Sequence, residues 1–348
     1  MRKGLLLVAA MALCMFPTVV LADSISPTSF GATIGVGDTA TVSKTVTVSA
    51  GGPTSALVDV FFLADTTGSM GSAIANVKAG AGTIMSSVAG LGNVAFAVGE
   101  YRDVGDAFVY RQNQDITTST AATQTGINAW FASGGGDTPE AQLYALKQVA
   151  DTTSWRTGST RIAIWFGDAP GHDPSNGVTE AVATAALVAQ GIKVEAISVG
   201  FNQLDITGQA TRIAAATSGA FFSGIDTSAL SAAIASAITT SFLTYGNVTL
   251  DLSEVPAGLL ASINPLSYSD GYDRSIERLF GFDLSFTGLA AGVYDFNVYA
   301  LVDGGRVATE VEHIVVGDGT KVPEPGTLLL LGSGLVGLVG YRRRARMM

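Results

Sequence analysis

Between residues 56 and 242, short apolar runs alternate with alanine-rich segments that are long enough to form helices. The apolar runs predict strands at residues 57–64, 94–101, 108–112, 161–166, 193–199 and 219–222. The segments between them predict helices at residues 71–88, 120–133, 139–151, 178–190, 209–218 and 227–244. Alternation of this kind is typical of an α/β domain, so we predict a doubly wound, mainly parallel sheet over residues 56–244.

The segments on either side of this region have a different pattern, in which small polar residues alternate with apolar ones. Residues 39–48, for example, read TATVSKTVTV, and similar alternation returns at residues 248–253, 282–286 and 293–302. Residues 245–319 therefore predict a small antiparallel β sandwich. The N-terminal segment, residues 23–55, is too short to form a stable sheet alone, so we expect it to pair with residues 245–319, with the α/β domain inserted. An N-terminal extension lying on the α/β domain is the alternative.

Both ends of the chain carry targeting patterns and are not predicted to be parts of a folded domain. Residues 1–22 contain Arg2 and Lys3, an apolar run from Leu5 and a small residue at Ala22, which is typical of a secretory signal peptide. The only cysteine, Cys14, lies in this segment, so the exported chain has no disulfide. Residues 322–348 begin with Val-Pro-Glu-Pro-Gly, continue with an apolar run at 327–340 and end in an arginine cluster.

This C-terminal order of Pro-Glu-Pro, apolar stretch and basic cluster resembles the PEP-CTERM sorting signal of Gram-negative bacteria. The resemblance implies transient anchoring in the inner membrane, processing by an exosortase-type enzyme, and delivery to the cell surface or extracellular matrix. The alternative is a short C-terminal anchor, although the apolar run is shorter than the about 20 residues that a stable membrane-spanning helix needs. The chain has a net charge of −10, and six of its basic residues lie in the two terminal segments. An acidic central region argues against nucleic acid as a partner.

Polar side chains gather where the predicted strands end. Asp65, Thr67 and Ser69 follow the first apolar strand, and Asp168 follows the strand at 161–166. An acidic glycine-rich loop at residues 134–141 precedes a helix and can reach the same crevice. Ligands of doubly wound sheets bind at the carboxyl ends of the strands, and oxygen ligands suit a hard divalent cation. The sequence therefore predicts a cation site at this edge.

Three motifs, DTTGSM at residues 65–70, GGGDTPEA at 134–141 and GDAP at 167–170, resemble the von Willebrand factor type A domain and its metal-ion-dependent adhesion site. The second motif is similar to that of the β-subunit integrins, which draw a metal-binding glutamate from this loop. The resemblance implies a Mg²⁺ ion, with Mn²⁺ or Ca²⁺ as alternatives, and a coordination position open to a partner. Its ligands would be Asp65, Thr67, Ser69, Glu140 and Asp168.

The resemblance leaves some ligands open. Thr138 could replace Glu140, because simpler members of the family use a threonine in this loop. Asp103 and Asp137 match ligands of a second, supporting cation site, although Gly135 stands where the family has an asparagine. In the family the last helix of the domain shifts when the metal binds, so the helix at 227–244 could couple the site to the β sandwich.

The sequence favours a binding protein over an enzyme. No Gly-x-Ser-x-Gly elbow, phosphate-binding loop or His-Glu-x-x-His motif is present, and only two histidines are available as general bases. We expect an adhesion protein that binds a protein or polysaccharide through Mg²⁺. The alternatives are a structural matrix protein in which the metal only stabilises the loops, and a metal-dependent hydrolase.

Overall fold

The computed structural model describes residues 22–52 and 56–318. The predicted sorting signal and all but the last residue of the predicted signal peptide lie outside the described residues. Within these ranges no helix is long and apolar enough to cross a membrane.

An α/β unit occupies the middle of the chain. In the described part of the chain, six strands form its sheet in the order β6-β5-β4-β7-β8-β9, in which β6 alone runs antiparallel to its neighbour. Their bounds are Ala56–Asp65 for β4, Gly92–Tyr101 for β5, Tyr110–Thr117 for β6, Thr160–Gly167 for β7, Ile192–Val199 for β8 and Phe221–Ile225 for β9. This arrangement confirms the predicted fold class.

Helices cover both faces of this sheet. They are α1 (Gly71–Val88), α2 (Thr120–Asn128), α3 (Gln142–Thr152), α4 (Glu180–Ala189), α5 (Gln209–Ala216) and α6 (Leu230–Thr240). Alternate residues of the central strand β4 face opposite layers: Val60 and Phe62 pack with α1, α2 and α6, whereas Phe61 packs with α3, α4 and α5. A strand buried on both faces reads as a continuous apolar run, which is why β4 was predictable.

Several predicted elements have different limits in the structure; the predicted helix at 227–244, for example, is observed as α6 at Leu230–Thr240. Helix α2 ends at Asn128 rather than 133, because the Ser133 amide donates to the Thr66 carbonyl oxygen in the loop that follows β4. Helix α3 begins three residues later than predicted, since the Glu140 amide donates to the Pro170 carbonyl oxygen. Strand β6 is shifted to Tyr110–Thr117, where polar side chains occupy an edge strand. At the end of α2 and the start of α3, tertiary hydrogen bonds thus override the local helical pattern.

The β sandwich is built from both ends of the described chain. Among the described residues its sheets have the orders β1-β3-β13-β11 and β12-β10-β14-β15-β2. The strands are β1 (Ser24–Ser26), β2 (Ser29–Gly35), β3 (Thr39–Val48), β10 (Thr244–Asp251), β11 (Leu259–Asn264), β12 (Ser267–Asp273), β13 (Arg278–Gly288), β14 (Gly292–Val302) and β15 (Gly305–Gly317). Strand β3 pairs with β13 from Thr39 opposite Thr287 to Val48 opposite Arg278.

One pairing in the sandwich departs from the antiparallel prediction. Strand β2 lies parallel to β15, with Ser29 opposite Val311 and Gly35 opposite Gly317. Parallel pairing is available here because the two strands are joined by the whole α/β unit rather than by a short hairpin.

The sandwich contacts the end of the α/β sheet opposite the predicted cation site. The Arg306 amide donates to the Gly158 carbonyl oxygen at 2.7 Å, just before β7 begins, and Lys193 in β8 pairs with Asp303 at 3.4 Å. These contacts lie near the amino ends of the parallel strands. The predicted ligands lie at the carboxyl ends, one strand length away.

Candidate metal centre

Asp65 and Asp168 are brought together by neighbouring strands. Asp65 is the last residue of β4, Asp168 directly follows β7, and the two strands pair in parallel with Ala64 opposite Phe166. The Ser69 hydroxyl bridges the two loops, because its Oγ donates to Asp168 Oδ1 at 2.9 Å. The first and third motifs therefore meet at one sheet edge.

The backbone after β4 turns around the Asp65 carboxylate. The Thr67 amide and the Thr67 hydroxyl both donate to Asp65 Oδ1, at 2.8 and 2.7 Å. The Thr67 and Ser69 hydroxyl oxygens lie 3.5 Å apart. Asp65 is fully buried, and its second oxygen, Oδ2, has no hydrogen-bond partner among the described residues.

Glu140 reaches the same place from the acidic loop. Its amide donates to Pro170 O at 2.8 Å and its carbonyl oxygen accepts from the His172 amide at 2.9 Å, which joins this loop to the one that carries Asp168. The Glu140 side chain is buried, and its Oε2 also has no hydrogen-bond partner among the described residues.

Gly135 shows how closely these loops approach. Its φ of +66° is in the left-handed region, and a Cβ atom there would lie 2.6 Å from Thr67 Cβ and 2.8 Å from Glu140 Oε1. The Glu140 carboxyl group therefore lies near Thr67 in the loop that follows β4, with Gly135 between them. Only glycine fits this conformation and this space without displacement.

Burial raises the pKa of each of the three carboxyl groups. The pKa of Asp65 is raised to about 7 by desolvation, with a smaller contribution from the Asp168 charge. Desolvation raises the pKa of Glu140 to about 8, and the charges of Asp65 and Asp103 add to the effect. Desolvation also raises the pKa of Asp168. A divalent cation among these groups would favour their ionised forms.

The donor set fits a hard cation. Three carboxyl groups and two hydroxyl groups supply only oxygen, as Mg²⁺ and Ca²⁺ prefer. Among the described residues, no group of three or more His, Cys, Asp or Glu side chains is arranged to hold a metal ion by itself. The Thr67 and Ser69 hydroxyls would complete the donor set of this candidate site.

The residues of the predicted second site are only partly assembled. Asp103 is buried and its Oδ1 lies 3.2 Å from His172 Nε2, whereas Asp137 and Thr138 are exposed. The sequence analysis missed Asp106, whose Oδ2 accepts from the amides of Gly135 and Asp103 at 2.9 and 3.2 Å. Asp106 thereby holds the acidic loop in place. Asp106 lies in the loop between β5 and β6 and belongs to none of the sequence motifs.

Tyr101 is buried next to the carboxyl groups of the candidate site. Its hydroxyl group accepts a hydrogen bond from Trp165 Nε1 at 3.1 Å, and desolvation raises its pKa, with the Asp65 charge second. A Cβ atom on Gly167 would lie 2.6 Å from this hydroxyl and 3.0 Å from Asp65 Oδ2. The Tyr101 hydroxyl and Asp65 Oδ2 therefore both lie close to Gly167, and both side chains are buried.

Comparison with known families agrees with this geometry. The sequence model of the von Willebrand factor A domain matches residues 59–222, which include Asp65, Glu140 and Asp168. The chain contains a von Willebrand factor A domain. Residues 321–344 match the PEP-CTERM protein-sorting motif, which implies export and membrane-associated processing. The von Willebrand factor A domain and the PEP-CTERM motif predicted from the sequence are both confirmed. Von Willebrand factor A domains are typically binding domains without enzymatic activity.

One curated protein is similar to part of this chain. A protein named ariadne-like RING finger protein R811, from Acanthamoeba polyphaga mimivirus, is 32% identical over 123 residues, or 35% of this chain. The match spans 12% of the length of that protein. This chain, with Cys14 as its one cysteine, lacks the cysteines of a RING zinc site.

Several solved structures are similar to this chain at low identity. A von Willebrand factor type A protein from Catenulispora acidiphila is 15% identical with a TM-score of 0.47, covering 88% of this chain and 76% of that one. Proximal thread matrix protein 1 from the mussel byssus, with a zinc-occupied MIDAS motif, is 16% identical with a TM-score of 0.43, covering 58% of this chain and 48% of that one. BatB from Bacteroides thetaiotaomicron is 16% identical with a TM-score of 0.41, covering 53% of this chain and 98% of that one. The domain assignment rests on the family match, not on these scores.

Proposed function

We propose that this chain is an exported adhesion protein that binds a divalent cation, with Mg²⁺ as the expected ion. The proposal rests on one observation, that Asp65 Oδ2 and Glu140 Oε2 are buried and have no hydrogen-bond partner among the residues that the structure describes. A buried carboxylate oxygen without a partner costs free energy, and a cation would supply that partner. The expected ligands are Asp65, Thr67, Ser69, Glu140 and Asp168.

A partner would reach the ion from the side of Ser69. Ser69 is exposed and Asp168 is half-buried, whereas Asp65, Thr67 and Glu140 are buried. An ion held by these residues would face solvent on one side, and Mg²⁺ keeps water molecules in the positions that a protein does not fill. A carboxylate from a protein or an acidic polysaccharide would replace one of these waters. Binding would then depend on the cation.

Exposed aromatic side chains on the same sheet edge would add apolar contact. Phe201 follows β8 and is 93% exposed, and Phe131 lies in the loop after α2 and is 69% exposed. Phe131 is held by its backbone, since its carbonyl oxygen accepts from Arg102 Nη2 at 2.6 Å. Exposed aromatic residues around a polar centre are common in binding surfaces.

The sorting motif supports the cell surface or extracellular matrix as the place where this binding would occur. We expect an exosortase-type membrane enzyme to remove the tail after transient anchoring in the inner membrane. The remaining protein would then reach the cell surface or extracellular matrix. There it would attach the cell or the matrix to a protein or polysaccharide ligand.

The burial of Asp65 and Glu140 also supports a second candidate, a structural matrix protein whose cation only stabilises the loops. Any cation that neutralises these groups stabilises the domain, whether or not a partner binds. The two candidates differ in whether removal of the cation abolishes partner binding or only lowers the melting temperature.

Both candidates can be tested on the mature protein with a Ser69→Ala variant, which removes one exposed hydroxyl ligand. Calorimetry with Mg²⁺, Mn²⁺, Ca²⁺ and Zn²⁺ measures cation affinity, and sedimentation with extracellular matrix from the source bacterium measures adhesion. We expect Ser69→Ala to weaken both and Ser29→Ala, an exposed serine in β2, to change neither. Adhesion that persists in excess chelator would refute the adhesion function. If adhesion persists in excess chelator while Mg²⁺ added without chelator raises the melting temperature, the structural candidate is favoured.

A further inference from the structure

A lysine is enclosed in the core of the β sandwich. Lys44 lies in β3, where Thr41 and Ser43 face solvent and Val46 and Val48 face the core, and its side chain has 0% exposure. Its Nζ lies 5.1 Å from the centroid of the Phe30 ring. A lysine is rarely buried in this way, because removal of its charge from water costs free energy unless partners are supplied.

Two glutamates from the opposite sheet supply these partners. Glu310 and Glu312 are two residues apart in β15, so both side chains face the core, and both have 0% exposure. Lys44 Nζ contacts Glu310 Oε1 directly and lies 3.1 Å from Glu312 Oε1. The second oxygen of each glutamate has no hydrogen-bond partner among the described residues. One amine thus faces two carboxyl groups in an enclosed space.

This group of three cannot be fully ionised at low cost, because it would hold one positive and two negative charges away from water. Desolvation raises the pKa of Glu312 to about 7 and raises the pKa of Glu310, while Lys44 opposes the shift in both. One carboxyl group therefore tends to hold a proton. Transfer of the Lys44 proton to the other carboxylate would give an amine beside two carboxyl groups with no net charge left in the core.

We propose that Lys44 and Glu310 condense to form an intramolecular isopeptide bond, with Glu312 carrying the protons. The neutral Lys44 Nζ attacks Glu310 Cδ, and a bond forms between these two atoms. Glu312 accepts a proton from the amine and donates one to a carboxyl oxygen of Glu310. The Cδ–O bond then breaks and one water molecule leaves. The amide retains one hydrogen on Nζ and Glu312 ends protonated, so no oxidant or co-reactant is required.

The bond would link parts of the chain that the α/β domain separates. Lys44 precedes that domain and Glu310 follows it, 266 residues later. The bond would also join the two sheets of the sandwich, since β3 and β15 belong to different sheets. The exported chain has no cysteine with which to form a disulfide, because Cys14 lies in the predicted signal peptide. An amide would provide a crosslink that reducing agents do not break. The inference is independent of the metal site.

Mass spectrometry of the full mature protein tests this proposal. The intact mass should be lower than the sequence mass by one water molecule. Digestion with trypsin should fail at Lys44 and release a branched peptide that joins the Lys44 and Glu310 segments. A folded protein of unchanged mass, with normal cleavage after Lys44, would overturn the proposal and leave an ordinary buried ion pair.

Two variants and a control separate reaction from folding. Glu312→Gln keeps the volume of the side chain but cannot carry the proton, so the uncrosslinked mass should predominate in folded protein. Lys44→Met removes the nucleophile and should abolish the branched peptide. Glu277→Gln, at an exposed loop position, should keep the crosslink. Circular dichroism establishes folding of each variant, and a crosslink that persists in folded Lys44→Met would refute the assignment of Lys44.

Discussion

Replacement of Asp65 by asparagine should stabilise the metal-free domain while removing its response to cations. Burial raises the pKa of Asp65 from 3.8 to about 7 in the folded protein. The folded state therefore binds this proton more tightly than the unfolded state does. The resulting contribution to stability is complete below about pH 3.8 and is lost as the pH rises through about 7. At about pH 8, the ionised carboxylate costs ~4 kcal/mol relative to a neutral group at the same position.

The asparagine keeps the oxygen that accepts from the Thr67 amide and hydroxyl, and it carries no charge. In excess chelator at about pH 8, the free energy of unfolding of Asp65→Asn should exceed that of the wild type by up to ~4 kcal/mol. The difference should shrink as the pH falls from about 7 toward about 3, where Asp65 is mostly protonated in both states. Addition of Mg²⁺ at about 100 times its Kd should stabilise the wild type by about 2.7 kcal/mol and the variant by much less.

Urea unfolding followed by tryptophan fluorescence provides the assay. All three tryptophans, Trp130, Trp155 and Trp165, lie in the α/β domain, so the signal reports the unfolding of that domain. Asp295→Asn is the matched control, because Asp295 is exposed on the β sandwich. The reasoning would be refuted if Asp65→Asn had a lower free energy of unfolding than the wild type in chelator at about pH 8. It would also be refuted if Mg²⁺ raised the free energy of unfolding of the variant as much as that of the wild type.

Three further predictions follow from the geometry of the site. Mg²⁺ affinity should rise with pH across the range from about 6 to 8, because the ion must displace protons from Asp65 and Glu140; a pH-independent affinity in calorimetry would contradict this. Gly135→Ala should abolish Mg²⁺ binding, since its φ is +66° and its Cβ would lie 2.6 Å from Thr67 Cβ, whereas Gly136→Ala, where a Cβ meets open space, should bind normally. Phe201→Ala should weaken sedimentation with matrix while leaving Mg²⁺ affinity unchanged; equal loss of both would show that Phe201 supports the loops instead.

The sequence predicted the α/β part of the fold well because its elements are local and strongly patterned. Helix α1 has the predicted limits at residues 71–88, and strand β4 extends one residue beyond the predicted strand at each end. Both have continuous apolar surfaces that one window of sequence reveals. Helix α2 was predicted too long, because the hydrogen bond from Ser133 to Thr66 comes from a distant segment.

The sequence indicated those residues of the candidate site that directly follow strands. It did not indicate Asp106, whose contacts are with distant parts of the chain. Asp65 and Asp168 end adjacent parallel strands, so the rule for ligand positions in such sheets places them together. Asp106 holds the acidic loop through the Gly135 amide, and no local pattern connects the two residues.

The buried group around Lys44 had a sequence signal that the alternation rule could have found. Residues 40, 42, 44, 46 and 48 form one face of β3, and all except Lys44 are apolar. Glu310 and Glu312 likewise occupy the face of β15 that contains Ile314 and Val316. A charged residue on the apolar face of each of two strands indicates a buried ionic contact or a bond.

Anomalous diffraction from a crystal of the mature protein grown with Mn²⁺ tests the central claim most directly, because it locates the ion without reference to any ligand. The account predicts one strong peak among the oxygens of Asp65, Thr67, Ser69, Glu140 and Asp168, at about 2.0–2.2 Å from its direct ligands. The same crystal form of Ser69→Ala should show a weaker peak. Ordered loops with no peak at this position, in crystals containing saturating Mn²⁺, would contradict the account.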